Sequence, residues 1–241
     1  MLLMHLCTLV FQILTLPLQI AELVGLYSLY KRVFPFLVYK ITFNYNRIMN
    51  EHKRELFRAL DKFRPSNGTL RILEIGCGTG ANFEHYPTGC KVICTDPNPH
   101  FENYLQKNMV KNDHLVYDKF VVATGEDLHA VPDDSVDVAV VTLVLCSVRD
   151  TGRVLKEAKR VLRPGGAFFF MEHVAADRSS WTYFGQHVLQ PLWYYFGDGC
   201  ETTRPTWEHI ENAGFSQVNL RHIQAPITFV IKPHIVGYAV K

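Results

Sequence analysis

Hydrophobic and polar positions divide this chain into two unlike parts. From Met1 to Tyr30 the sequence is largely Leu, Ile, Val and Phe, interrupted by His5, Thr8, Gln12, Thr15, Gln19 and Glu22, which are spaced 3, 4, 3, 4 and 3 apart. On a helix those six residues form one narrow polar stripe on an otherwise apolar cylinder. Pro17 predicts a kink or a hairpin within it. A second apolar run, residues 33–43, begins around Pro35. Residues 46–63 predict a further helix, with Ile48, Leu56, Phe57, Leu60 and Phe63 as its apolar positions. The turn residues Arg64-Pro65-Ser66-Asn67-Gly68 end it.

Beyond that turn the pattern changes to short apolar runs separated by helical periods. Strands are predicted at residues 71–75, 91–95, 116–122, 136–145 and 167–174, with two late ones at 215–222 and 235–240. Helices are predicted at 150–162 and 206–213. Alternating strands and helices imply an α/β fold, a doubly wound, mostly parallel seven-stranded sheet with a ligand crevice at the carboxyl ends of its strands. The organisation expected is an apolar anchor over residues 1–32, a linker and capping helix over 33–68, and the catalytic domain over 69–241.

Composition narrows the class. The chain has 241 residues, 48% hydrophobic and 20% charged, with a net charge of +2. A packed core follows, and a nucleic-acid partner is not expected, because no basic face is concentrated in the sequence. The six cysteines include no C-x-x-C pair and no paired His/Cys spacing, so no metal is expected and the thiols read as small buried groups in a reducing compartment. Glu22 is the only formal charge before Lys31-Arg32. Tyr27 and Tyr30 ahead of that basic pair resemble an interfacial aromatic belt and its cytoplasmic flank. Membrane attachment is therefore expected, either lying in the interface or spanning it, with the domain facing the cytosol. The sequon at Asn67 should then stay unmodified.

The chemistry begins at Glu74-Ile75-Gly76-Cys77-Gly78-Thr79-Gly80, a strand that runs into a glycine turn, with a helix predicted to follow. Glycines there let the backbone turn sharply and approach a ligand without a Cβ in the way. Gly76, Gly78 and Ala81 satisfy the dinucleotide pattern G-x-G-x-x-G/A. Glu74, Gly76, Gly78 and Gly80 satisfy E-x-G-x-G-x-G, which resembles the first motif of class I S-adenosylmethionine (SAM)-dependent methyltransferases. Asp96 ends the second strand, where a carboxylate can accept from both ribose hydroxyls in either kind of protein, and Asn98 follows it. Glu126-Asp127 comes after the third strand, and Asp127 is placed to accept from an adenine amine. Arg163-Pro164-Gly165-Gly166 before the fifth strand is reminiscent of small-molecule methyltransferases. Together these features point to SAM, and the cofactor candidates are Glu74, Gly76, Gly78, Gly80, Asp96, Asn98, Glu126 and Asp127.

The runs 76–83, 96–101, 142–148 and 171–176 and the tail 233–241 resemble the methyltransferase-like type 7 proteins. That resemblance covers the whole chain. It implies microsomal enzymes of the endoplasmic reticulum membrane and lipid droplets that methylate small lipophilic alkyl thiols.

At the acceptor end, Val144-Leu145-Cys146-Ser147 lacks the polar clamp expected for amide or base nitrogen. His173 and Asp198 are the catalytic candidates, His173 as a base for a thiol and Asp198 as an orienting group. Nothing near Cys200 in the sequence lowers its pKa. The aromatic segment 181–196 reads as an acceptor lid or as ordinary helix packing. Three alternatives stay open: an oxygen acceptor on a quinol or phenol, a surface protein with a vestigial SAM site, and an NAD-dependent oxidoreductase.

Overall fold

The computed structural model describes residues 2–66, 68–227 and 229–241; Asn67, the sequon residue, lies outside the described residues. Apolar strands buried on both faces build the centre. β1 (Arg71–Ile75), β2 (Lys91–Asp96), β3 (Val116–Val122), β4 (Val136–Thr142) and β5 (Leu162–His173) run parallel, and β7 (Pro233–Val240) inserts antiparallel between β5 and β6 (Gln217–Gln224). The sheet order is β3-β2-β1-β4-β5-β7-β6, seven strands as expected. The order reverses between β1 and β4, and a crevice opens at such a switch point, beyond the strands' carboxyl ends.

Two apolar layers cover the sheet. On one face Ile72, Val138, Phe169 and Met171 pack with Met49, Leu56, Phe57 and Leu60 from the N-terminal half. On the other, Leu73, Val141, Phe168 and Phe170 pack with Val154, Leu155, Ala158 and Val161 of α5 (Thr151–Val161). Asp150 caps α5 by accepting from the Arg153 amide at 3.0 Å, a cap that matches the start predicted by periodicity.

Several boundaries differ from the sequence reading, each for a local reason. β5 starts at Leu162, five residues early, because Leu162 pairs with Val136 and the Arg163 guanidinium binds Asp137. β4 stops at Thr142 because Leu143 takes φ +56°, which no strand continues through. The helix predicted after the glycine turn is absent. Residues 76–82 are turns, and only a short 3₁₀ segment, Phe83–His85, precedes Pro87.

The N-terminal segment forms α1 (Leu2–Leu14), α2 (Leu16–Leu23) and α3 (Tyr27–Phe57). α1 and α2 meet at a 46° bend next to Pro17. α3 runs unbroken through Pro35, joins the predicted helix 46–63, and ends in a 3₁₀ turn, Arg58–Phe63. The polar stripe runs from α1 into α2 along α6 (Trp181–Phe196), where Thr8, Gln12, Thr15 and Gln19 line an open cavity of about 480 Å³ with His187, Gln190 and Tyr194. Thr15 is buried and Thr8 half-buried, whereas His5, Gln12, Gln19 and Glu22 are exposed. Thr8 donates to the His187 carbonyl at 3.3 Å, and Thr15 is 1% exposed. The opposite side of α1 stands outward, with Leu2, Leu3, Leu6, Leu9, Val10 and Ile13 all more than half exposed.

Candidate active site

The site is assembled at the carboxyl ends of β1, β2, β4 and β5. After Ile75 the chain turns through Gly76, Gly78 and Gly80 at φ +64°, +51° and +77°. A Cβ on Gly76 would stand 2.6 Å from Val144, and one on Gly80 would stand 2.5 Å from Phe83. Both positions are closed to other residues by packing as well as by conformation. Gly78 differs: a Cβ there would only touch Phe101, at 3.7 Å, so conformation rather than packing favours glycine.

Asp96 closes β2 with its carboxylate 5% exposed. Oδ2 accepts from the Gly78 amide at 3.0 Å and Oδ1 from the Asn98 amide at 2.8 Å. Each oxygen keeps a second lone pair, the number that two ribose hydroxyls require. Burial raises the carboxyl to about 6, opposed by the two amides. Asn98 accepts from the His100 amide at 3.1 Å and donates to the Lys31 carbonyl of α3 at 2.8 Å. It therefore fastens the N-terminal helix to the ribose side of the crevice.

Glu74 lies behind the glycine turn. It is 2% exposed, accepts from Asn82 Nδ2 and Tyr86 OH at 2.8 Å each, and is pushed up to about 7 by burial. Lys53 of α3, itself fully buried, donates to Asn46 at 2.7 Å and to the Ala81 carbonyl at 3.3 Å. These groups brace the turn from inside, and the sequence reading missed Asn46, Lys53 and Asn82. Glu126 Oε1 accepts from the Arg149 amide at 2.8 Å, tying the loop after β3 to the loop after β4. Asp127 pairs with His129 at 3.0 Å on the exposed rim.

His173, the last residue of β5, is buried with Nε2 3.0 Å from Cys200 Sγ. Cys200 Sγ lies 3.6 Å from Cys146 Sγ and accepts from Trp193 Nε1 at 3.2 Å. Hydrogen bonding by Cys146, and then by Trp193, lowers the Cys200 thiol, while its partner Cys146 is raised. The sequence showed nothing of this because the depressing groups come from other elements. Asp198, at φ +49°, stands 3.8 Å from Lys31 Nζ and raises Asp96 through space. It belongs to the ribose side rather than to the sulfur cluster. Tyr27 and Tyr30 donate to the carbonyls of Tyr195 and Phe196 at 3.1 and 2.6 Å, so α3 and α6 together roof the crevice.

This geometry lacks the element on which the dinucleotide reading depends most. A dinucleotide site places a pyrophosphate on a helix N-terminus directly after the glycine turn. No α-helix begins there. What remains is a buried carboxylate at the end of β2 and an uncharged backbone cradle, which fit SAM.

Comparison with known proteins agrees. A methyltransferase-domain family profile matches residues 73–170. The human thiol S-methyltransferase TMT1A is 54% identical over 219 residues, 90% of each chain. The chain belongs to the thiol S-methyltransferase family. Human thiol S-methyltransferase TMT1B is 49% identical over 231 residues, 95% of each chain. This member of the family is a SAM-dependent methyltransferase, and SAM is its cofactor. The fold is shared more widely. A SAM-dependent methyltransferase from Thermotoga maritima, a possible histamine N-methyltransferase, superposes with a TM-score of 0.62 at 20% identity, over 89% of this chain and 99% of that one.

Proposed function

We propose that this enzyme methylates the sulfur of small lipophilic alkyl thiols at the cytosolic surface of the endoplasmic reticulum membrane and of lipid droplets. The observation that carries the acceptor class is the identity of about half of all positions, across nearly the whole chain, with enzymes that act on thiols. SAM supplies a methyl group already activated on a sulfonium. The chain's own task is then to place the acceptor sulfur and exclude water. Gly76, Gly78, Gly80, Asp96 and Asn98 are assigned to the cofactor. Glu74 and Glu126 brace the loops that hold it, and Asp127 stands at the rim where adenine is expected. A thiol with a pKa near 8.5 is partly ionised at neutral pH, so no strong base is required. His173 and the sulfur cluster mark the acceptor end, and Asp198 with Lys31 closes the roof over the ribose side.

The test is S-adenosylhomocysteine release by detergent-solubilised enzyme offered alkyl thiols, phenols and quinols. Turnover of thiols alone is expected. Equal turnover of quinols would replace the acceptor assignment, and failure to bind SAM would make the site vestigial.

The membrane part rests on the outward leucines of α1. No single helix among the described residues is long and apolar enough to cross a bilayer, although the bent pair Leu2–Leu14 and Leu16–Leu23 has the length and composition together. We read α1 as an interfacial helix, because its leucine face is outward while Thr8 and Thr15 of the stripe face protein and the exposed stripe residues beside α6 can stay in water. Full-length protein is expected to float with phosphatidylcholine vesicles. The double variant L9D/I13D is expected to lose at least about tenfold of that binding, given roughly 2.5–3.5 kcal/mol per buried Asp. Unchanged flotation would remove α1 as the anchor.

A further inference from the structure

Three donor atoms that the sequence keeps far apart meet behind the acceptor end. Cys146 comes from the loop after β4, His173 from the end of β5, and Cys200 from the loop after α6. Their ligand atoms, two Sγ and one imidazole nitrogen, all lie within 4.8 Å of one another. All three residues are buried: Cys146 is 1% exposed, His173 3% and Cys200 7%.

We propose that Cys146, His173 and Cys200 bind one zinc ion and leave its fourth position for the acceptor thiol. The second half of this assignment rests on the thiol reading above; the first half does not.

The donor chemistry selects the metal class. Two thiolates and an imidazole suit a borderline-soft divalent ion, and they reject calcium and magnesium, which take oxygen. The number of donors selects the type of site. A closed structural zinc has four protein ligands, whereas a catalytic one has three and an open position. Among the described residues the cluster offers three.

The distances are compatible with an ion. With Zn–S near 2.3 Å and Zn–N near 2.0 Å in tetrahedral array, ligand atoms stand about 3.5–3.8 Å apart. The two sulfurs are already at 3.6 Å. The His173–Cys200 edge is 3.0 Å, a hydrogen-bond separation, and must open by about half an ångström. The Cys200 backbone is held by Gln190 Nε2, which donates to its carbonyl at 3.0 Å, so the side chains of His173 and Cys200 make that adjustment. His173 Nδ1 makes no hydrogen bond to the protein, so Nε2 contacts and packing alone orient the ring.

The position also serves the reaction. Val144, which packs on Gly76 of the cofactor turn, lies two residues before Cys146 in the same loop after β4. A thiol entering the open position would bind as thiolate and release its proton to solvent, with no change in the oxidation state of metal or sulfur. A lipophilic thiol would then be ionised at neutral pH without a dedicated base.

The test uses full-length protein purified in reductant without chelator and loaded with zinc sulfate. Elemental mass spectrometry should find one zinc per chain, falling at least tenfold in Cys146→Ser and Cys200→Ser, with both variants still binding SAM as a check on folding. Cobalt(II) in place of zinc should give the intense absorption of a tetrahedral sulfur-ligated ion, and an alkyl thiol should shift it where its methyl thioether does not. Wild-type protein holding no more zinc than the two variants would overturn the site, as would isolation of Cys146 and Cys200 as a zinc-free disulfide. A cobalt spectrum indifferent to thiol would overturn the open position. Zinc without thiol turnover would leave the metal site standing and sink the thiol reading, whereas thiol turnover in zinc-free enzyme would leave the thiol reading standing and overturn the open position as the acceptor site.

Discussion

Replacing Asp96 with alanine is expected to weaken SAM binding at least about 100-fold and to remove turnover at ordinary SAM concentrations. Hydrogen bonds to a charged group contribute roughly 1.5–3 kcal/mol each, and two ribose hydroxyls are at stake. Asp96→Asn keeps the shape and one acceptor, and should fall between the alanine variant and wild type. The same carboxylate predicts a pH dependence. Its pKa is raised to about 6, mainly by burial and also by Asp198, with the Asn98 and Gly78 amides and Lys31 opposing; the Cys77 thiol beside it, itself raised, stays protonated. Because the ionised form accepts from the ribose, SAM affinity should fall about tenfold per pH unit below 6. The effect on the fold has the opposite sign. A carboxyl whose folded pKa is raised stabilises below its unfolded value, near 3.9, and loses that contribution as pH rises through about 6. Calorimetric titration across pH 5–8 checks the binding, and the slope should vanish in Asp96→Asn.

The largest expected loss of stability comes from Gly237→Ala. Gly237 sits mid-strand in β7, between β5 and β6. A Cβ there would stand 1.9 Å from the Asn219 carbonyl oxygen of β6. The obstacle is backbone rather than a flexible side chain, and β6 is the edge strand, paired only with β7, so β6 must part from β7. A loss on the order of 3 kcal/mol is expected, about 6–12 °C in Tm for a domain of this size, with part of the sheet edge detached. Thermal denaturation with and without SAM measures it. An unchanged Tm would mean that β6 yields freely.

The parallel strands were legible because Val92, Val138–Val141 and Phe168–Phe170 are buried on both faces, and continuous apolar runs record that directly. The glycine turn and Asp96 were legible because backbone conformation and a strand-end carboxylate are local facts. What failed was anything set by a distant partner. Residues 81–86 carry no Gly or Pro, yet no α-helix forms there. Asn82 is drawn to Glu74 and Thr142, and Phe83 is needed under Gly80. Cys146, His173 and Cys200 lie 27 and 54 residues apart, so no spacing rule links them. The stripe on α1 was visible, but its partner α6 was not, because one amphipathic face looks the same against lipid, solvent or protein.

The roof over the crevice joins the first and last thirds of the chain, and this sets an order of events during synthesis. Tyr27 leaves the ribosome long before Tyr195, the residue 168 positions later whose carbonyl it holds. At 5–20 residues per second that interval is roughly 10–30 s. Throughout it, the leucine-rich first helices have no α6 to lie against. They must be received by lipid or by a chaperone as they emerge. On the membrane attachment proposed above, that contact precedes the folded domain, and the catalytic crevice is completed only when the sheet has formed and brings α6 back to a segment already in place.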